Sequence, residues 1–205
     1  MSRELPSELI ARQAERLGRG SADPVALAAE LNGELERRVA ALVAQLRGGS
    51  GSGSAADLAP YRARAWQCVA HHVDQFLESR AMSFSEVLDQ LEKGQLAYGP
   101  VGVNVLAEVV LAQGLEQGEP AAARRFESDY MPAVRQAARK VGGERAIDAV
   151  DNFAAELVLP REDRASRLST FVGRTPLATW LRTVVVNYWI TQTRRERYER
   201  PGEIP

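Results

Sequence analysis

Apolar positions recur along most of this chain at the three-to-four spacing of an amphipathic helix. The clearest run lies near the end, where Leu177, Trp180, Leu181, Val184, Val185 and Tyr188 make one broad apolar face. Thr175-Pro176 precedes it, with Thr suited to the N-cap and Pro to the first helical position, where its missing N–H costs nothing. Arg194, Arg195 and Arg197 follow at the far end, where the helix dipole favours cations. The pattern predicts a helix over about 176–197. Near the start, Leu27, Leu31, Leu35, Val39, Leu42 and Leu46 form a second stripe, opened by Asp23-Pro24. A shorter helix from Ser7 to Gly18 precedes it and carries only Leu9, Ile10 and Leu17. Three aliphatic side chains cannot cover the longer stripe, so the second helix has to lie on the rest of the chain or on another chain.

Between these ends the same period continues. Asp57 is placed to cap a helix bearing Leu58, Tyr61, Ala65, Val69, Val73 and Phe76. Ser83-Phe84-Ser85-Glu86 fits a capping box ahead of Val87, Leu88 and Leu91. Tyr98-Gly99-Pro100 breaks the chain, and a helical pattern resumes from Val101 to Leu115, ending near Gly118. Further helices are predicted over about 120–141, with Pro132 as a kink or a late start, and over about 144–158. Strand-like alternation is scarce, and Val184-Val185-Val186 sits inside a helical period. The expected fold is an all-α helical bundle.

Gly48-Gly49-Ser50-Gly51-Ser52-Gly53-Ser54 interrupts the periodicity with side chains too small to bury, which describes a flexible tether. Such a run fits a laboratory linker joining two polypeptides and equally a natural low-complexity linker. The organisation it implies is a helical hairpin or partner segment over 1–47, the linker over 48–54, a helical extension over 55–118 and a final unit over 119–200. A tether of this length raises the effective concentration of whatever it carries toward the millimolar range.

Charge changes the picture locally. The formal net charge is −1, yet residues 161–200 hold nine arginines against four acids, while residues 1–160 hold 17 basic and 22 acidic side chains. A near-neutral chain with a basic C-terminal fifth suggests a local polyanion surface. No apolar run approaches the length of a membrane span, and the mixed-charge N-terminus is unlike a secretory signal. The single cysteine, Cys68, forms no internal disulfide and fits a reducing compartment, so a cytoplasmic location without membrane contact is expected. Cys68, His71 and His72 cluster, but a structural zinc site closes with four ligands, and no metal is expected here. Phosphate loops and nucleophile motifs are missing, which argues against an enzyme and against a cofactor.

The series Phe171-Val172-Gly173, Leu177, Thr179-Trp180-Leu181, Asn187 and Arg194-Arg195 resembles region 2 of a bacterial RNA polymerase sigma factor of the extracytoplasmic-function type. Upstream, Phe126, Tyr130, Val134 and Ala138 resemble the first helix of that region, so the resemblance spans about Leu106 to Arg200. It implies a transcription initiation module that binds core RNA polymerase and captures the melted −10 strand of promoter DNA. Strand capture needs extruded bases and cations along the backbone. Arg161, Arg164, Arg167, Arg174, Arg194 and Arg195 are the expected phosphate contacts, with Asn187 offering an amide to a base edge and Trp189 an exposed ring. Trp180 is expected in the core. Asp148, Asp151 and Asn152 stand where the family docks on the polymerase. The sequence departs from the family at Asp151, Ala154 and Thr191. These departures leave open a second class, a sigma-like adaptor that no longer binds promoter DNA. Ala29 to Leu35 faintly resembles a run of anti-sigma factors, so residues 1–47 are also read as a tethered, inhibitory anti-sigma-like segment.

Overall fold

A computed structural model describes residues 24–49, 54–79, 82–95, 102–158 and 166–199. Every regular element among them is helical: α1 (Pro24–Leu46), α2 (Ala55–Ser79), α3 (Phe84–Lys93), α4 (Val105–Glu116), α5 (Pro120–Asp129), α6 (Met131–Val158), a short 3-10 turn (Arg167–Thr170) and α7 (Leu177–Glu199). The helix expected over Ser7 to Gly18 and the break at Tyr98-Gly99-Pro100 lie outside the described residues. No helix among the described residues is long and apolar enough to cross a membrane.

Local chemistry accounts for the ends of these helices. Ser83 accepts a hydrogen bond from the Glu86 N–H while the Glu86 carboxylate accepts one from the Ser83 N–H, the reciprocal box the sequence predicts. At α2 the expected cap shifts. Ser54, not Asp57, precedes the helix; its hydroxyl accepts from the Asp57 N–H, and the Asp57 carboxylate accepts from the Ser54 N–H at 2.9 Å. Pro132 lies in the first turn of a new helix, because α5 stops at Asp129 and α6 begins at Met131. There a proline removes no intrahelical bond.

The centre of the bundle is α4. Val105, Leu106, Val109, Val110, Leu111, Ala112 and Leu115 are all buried, which leaves this helix almost no solvent face. A helix that is apolar around its circumference must be surrounded, and α1, α2, α3 and α5 pack on it. One continuous hydrophobic cluster runs from Leu27 in α1 to Tyr188 in α7.

The stripe of α1 docks on this centre. Leu27, Leu31, Leu35, Val39, Val43 and Leu46 are buried against α2, α3 and α4. Val43 takes the place expected for Leu42, which is half-buried at the edge, because four-residue spacing persists to the last turn. Each such side chain contributes roughly 1.5–3 kcal/mol on full burial, so this stripe holds α1 in place. Ion pairs flank it: Arg38 with Glu92 at 2.8 Å and Asp89 at 2.9 Å, Arg62 with Glu36 at 3.0 Å, and Arg47 with Glu119.

At the other side α6 packs along α7. Gly143, at φ 64° and ψ −150°, breaks α6 into two helical stretches at the boundary the sequence predicts. Beside it, Gly142 lets the Trp189 ring lie on bare backbone. A Cβ at Gly142 would come within 2.4 Å of the indole. Further along the pair, the Phe153 and Tyr188 rings meet at 4.8 Å.

Candidate nucleic-acid interface

Residues 166–176 cross the bundle without helical hydrogen bonds of their own beyond one 3-10 turn, so other side chains must satisfy their carbonyls. Arg64 of α2, 5% exposed, does much of this. Its guanidinium donates to the carbonyl of Phe171 at 3.0 Å and to that of Leu168, and pairs with Glu116 at 2.7 Å. Glu116 in turn accepts from the Ser166 hydroxyl. His72 donates from Nε2 to the carbonyl of Gly173 at 2.7 Å. Burial holds its imidazolium pKa below the usual histidine value. Gly173 has φ 73°, and a Cβ there would come within 2.7 Å of Cys68 Sγ, so only glycine fits this crossing.

The start of α7 is held in the same way. Its first N–H, at Leu177, donates to the Glu108 carboxylate at 2.7 Å, and the Tyr130 hydroxyl donates to the other oxygen at 3.0 Å. A buried carboxylate from α4 therefore caps a helix 69 residues further on. Burial pushes the Glu108 pKa up, against the pull of those two donors. The N-cap expected at Thr175 with Pro176 inside the helix moves by one residue. The Pro176 carbonyl receives the first helical bonds, from Thr179 and Trp180, and α7 begins at Leu177.

With its carbonyls, Leu168 and Phe171 turned inward, this loop presents Arg167, Ser169, Thr170 and Arg174 to solvent. The Arg167 guanidinium sits 5.8 Å above the Tyr188 ring, a cation–π placement that links the loop to α7. Trp180, expected in the core, is only half-buried, with its ring 5.5 Å from Phe171. On α7, Asn187, Thr191 and Arg194 are exposed at spacings of four and three, so they share one edge; Arg195 is exposed beside them. The Thr191 hydroxyl donates to the Asn187 carbonyl at 2.8 Å. Residues 166–199 carry six arginines against two glutamates, which makes this stretch of the chain basic.

Not every expected site residue joins it. Trp189, expected as an exposed ring, is half-buried on Gly142, because the missing side chain there opens a slot of indole size. Arg161 and Arg164 lie outside the described residues. Asp148 is exposed on the second stretch of α6, and Asp151 and Asn152 follow it in the same helix. Cys68 is buried, and its thiol is pushed up to about 12, which leaves it protonated. Among the described residues no group of three or more His, Cys, Asp or Glu is placed to hold a metal ion.

Four residues that shape this candidate site carry no signal for it in the apolar pattern, Arg64, His72, Glu108 and Glu116, and of these His72 stood out only as a candidate metal ligand. Glu108 had a legible signal. It stands alone among Val105, Leu106, Val109, Val110 and Leu111, and a lone charge in an apolar helix needs a buried partner. Chemically, the assembled surface offers guanidinium groups, hydroxyls, an amide and part of an indole, all on a braced scaffold. No protein-family model, curated protein or solved structure matches the chain.

Proposed function

We propose that this protein binds single-stranded promoter DNA and core RNA polymerase as a transcription initiation module of the sigma region 2 kind. The observation that carries the reading is a loop fixed by Arg64 and His72 that exposes Arg167 and Arg174 and is tied, through Arg167 over the Tyr188 ring, to a helix that exposes Asn187, Arg194 and Arg195. Braced cations position a phosphate backbone, and the amide and the half-exposed Trp180 ring face bases released from a duplex. Asp148 on α6 is the polymerase-facing residue in this reading, with Asp151 and Asn152 beside it in sequence. It needs no chemistry from the protein and no cofactor.

The segment before the linker has a different place in this proposal from the inhibitory one its sequence suggests. With α1 docked on α2, α3 and α4, the side chains of Arg167, Arg174, Asn187, Arg194 and Arg195 remain exposed. An anti-sigma-like action by direct cover of the DNA surface therefore lacks support. The adaptor reading has two observations in its favour. Trp189 is spent on packing against Gly142, and the Thr191 hydroxyl on the Asn187 carbonyl, which leaves fewer groups for bases.

Fluorescence anisotropy with a labelled single-stranded promoter oligonucleotide across a salt series tests the proposal. Arg174→Ala, Arg194→Ala and Arg195→Ala should each weaken binding and flatten the salt slope by about one unit or slightly less. Unchanged affinity and slope in the triple variant would remove the DNA assignment and leave the adaptor, which co-elution with core polymerase then checks.

A further inference from the structure

The attachment of α1 to the bundle is confined to one face. It joins α2 only through the Gly/Ser run, and it meets the bundle through one stripe and a few flanking ion pairs. Its anchors, Leu27, Leu31, Leu35, Val39, Val43 and Leu46, repeat at the spacing with which an amphipathic helix fills a groove. The receiving walls are built from Tyr61, Ala65 and Val69 on α2 and Val87, Leu88 and Leu91 on α3, buried with α4 in the same cluster as the α1 stripe. Charge sets the register, since Arg38 reaches Glu92 and Asp89 on α3 while Glu36 reaches Arg62 on α2.

The sequence of α1 also weakens it as a helix on its own. Gly33 lies in its interior, and a Cβ there would meet open space, so packing does not require the glycine. Its effect is to lower helicity until the groove orders the segment. A helix that forms fully only on its receptor behaves as a ligand.

We infer that α2, α3 and α4 form a receptor groove for an amphipathic helix, and that α1 is its tethered ligand, able to bind the same groove as a separate polypeptide. The occupant is the segment 24–47 itself, with aliphatic side chains every third or fourth residue and an arginine at position 38. The tether supplies a high local concentration, and the stripe and ion pairs supply recognition. This inference is independent of the DNA reading, since the groove does not use the loop or α7.

The test uses the full chain with a protease recognition sequence placed in the linker, compared before and after cutting. A fluorescein-labelled peptide of residues 24–47 should exchange into the cut chain saturably at micromolar concentration. The intact chain should resist it, because its own helix is present at an effective millimolar level. A Leu35→Asp peptide should fail to bind. A Gly33→Ala peptide should bind roughly fivefold more tightly, the ratio a removed helix-interior glycine gives. Exchange of α1 between two intact copies, read as a concentration-dependent dimer, would be the same recognition and counts for the inference. No uptake by the cut chain, equal binding of the Leu35→Asp peptide, or equal uptake by intact and cut chains would overturn it. So would a Gly33→Ala peptide that binds more weakly than the natural one.

Discussion

The Arg64 guanidinium reaches the Phe171 carbonyl at 3.0 Å across 107 positions of sequence, and through that bond α2 fixes the shape of the basic loop. The same group serves Leu168 and Glu116 from a buried position, where burial pulls its pKa down and Glu116 opposes that pull. Removing it strips the Phe171 carbonyl of this donor, takes one of two donors from the Leu168 carbonyl and leaves Glu116 without its cation. Arg64→Ala is therefore expected to cost about 3–5 kcal/mol, as loss of one partner from a buried pair does. Arg64→Lys should recover only part of this, because an ammonium lacks the planar fork that serves several acceptors at once. Urea denaturation of the three proteins checks the order. Equal midpoints for the alanine variant and the parent would mean that the loop is held by its apolar residues alone.

His72 makes the loop sensitive to acid. Its folded-state pKa lies below the unfolded value because burial penalises the imidazolium. As pH falls through about 6.5, the unfolded chain takes up a proton that the folded chain refuses, so stability declines toward the lower folded pKa. The neighbouring His71 ring, 5.2 Å away, adds to the penalty when charged. Replacement by Gln removes the titration and keeps a donor for the Gly173 carbonyl. His72→Gln should flatten the stability–pH curve below neutrality, measured by thermal melts from pH 8 to pH 5. A curve parallel to that of the parent would assign the acid sensitivity elsewhere.

Much of this fold was legible because its signals are local. The α1 stripe, the Ser83–Glu86 box and the break beside Gly143 each arise within a few residues, and the structure repeats them. The candidate site was legible only in part, because it depends on pairings between distant segments. Arg64 with Phe171, Glu108 with Leu177 and Gly142 with Trp189 leave no periodic trace. Trp189 shows the limit well. A position off the main apolar stripe reads as exposed, yet a glycine 47 positions earlier in the sequence opens the slot that covers it.

That glycine gives a sharp packing test. A methyl group at position 142 would overlap the indole, with Cε2 at 2.4 Å and Cζ2 at 2.6 Å. Overpacking of this kind costs typically about 1–3 kcal/mol. Gly142→Ala should therefore destabilise the protein by that amount, although alanine is the better helix former. In a Trp189→Leu background the same change should cost much less, since the smaller side chain vacates the slot. A double-mutant cycle from denaturation midpoints reads the coupling directly. Additive effects would show that α6 and α7 separate at no cost, and the packing of Trp189 on Gly142 would lose its role.

Glu108 separates charge from hydrogen bonding at the start of α7. Its carboxylate accepts from the Leu177 N–H and the Tyr130 hydroxyl, yet burial keeps its folded pKa above the unfolded one. As pH rises past the ordinary glutamate value of about 4.3, the unfolded chain releases its proton first, and stability falls until the folded chain does the same. Glu108→Gln retains an acceptor for Leu177 and an amide donor for the Tyr130 oxygen, but has no proton to lose. Relative to the parent it should gain stability between pH 4 and neutrality, with the difference vanishing in acid. Glu108→Leu matches the apolar surroundings but strands a buried N–H and a hydroxyl, at a cost of about 1–3 kcal/mol relative to the glutamine variant across the whole range. Urea midpoints for the three proteins at several pH values distinguish these outcomes. If glutamine and leucine behaved alike, the carboxylate would act through its volume only, and the cap it forms on α7 would carry no weight.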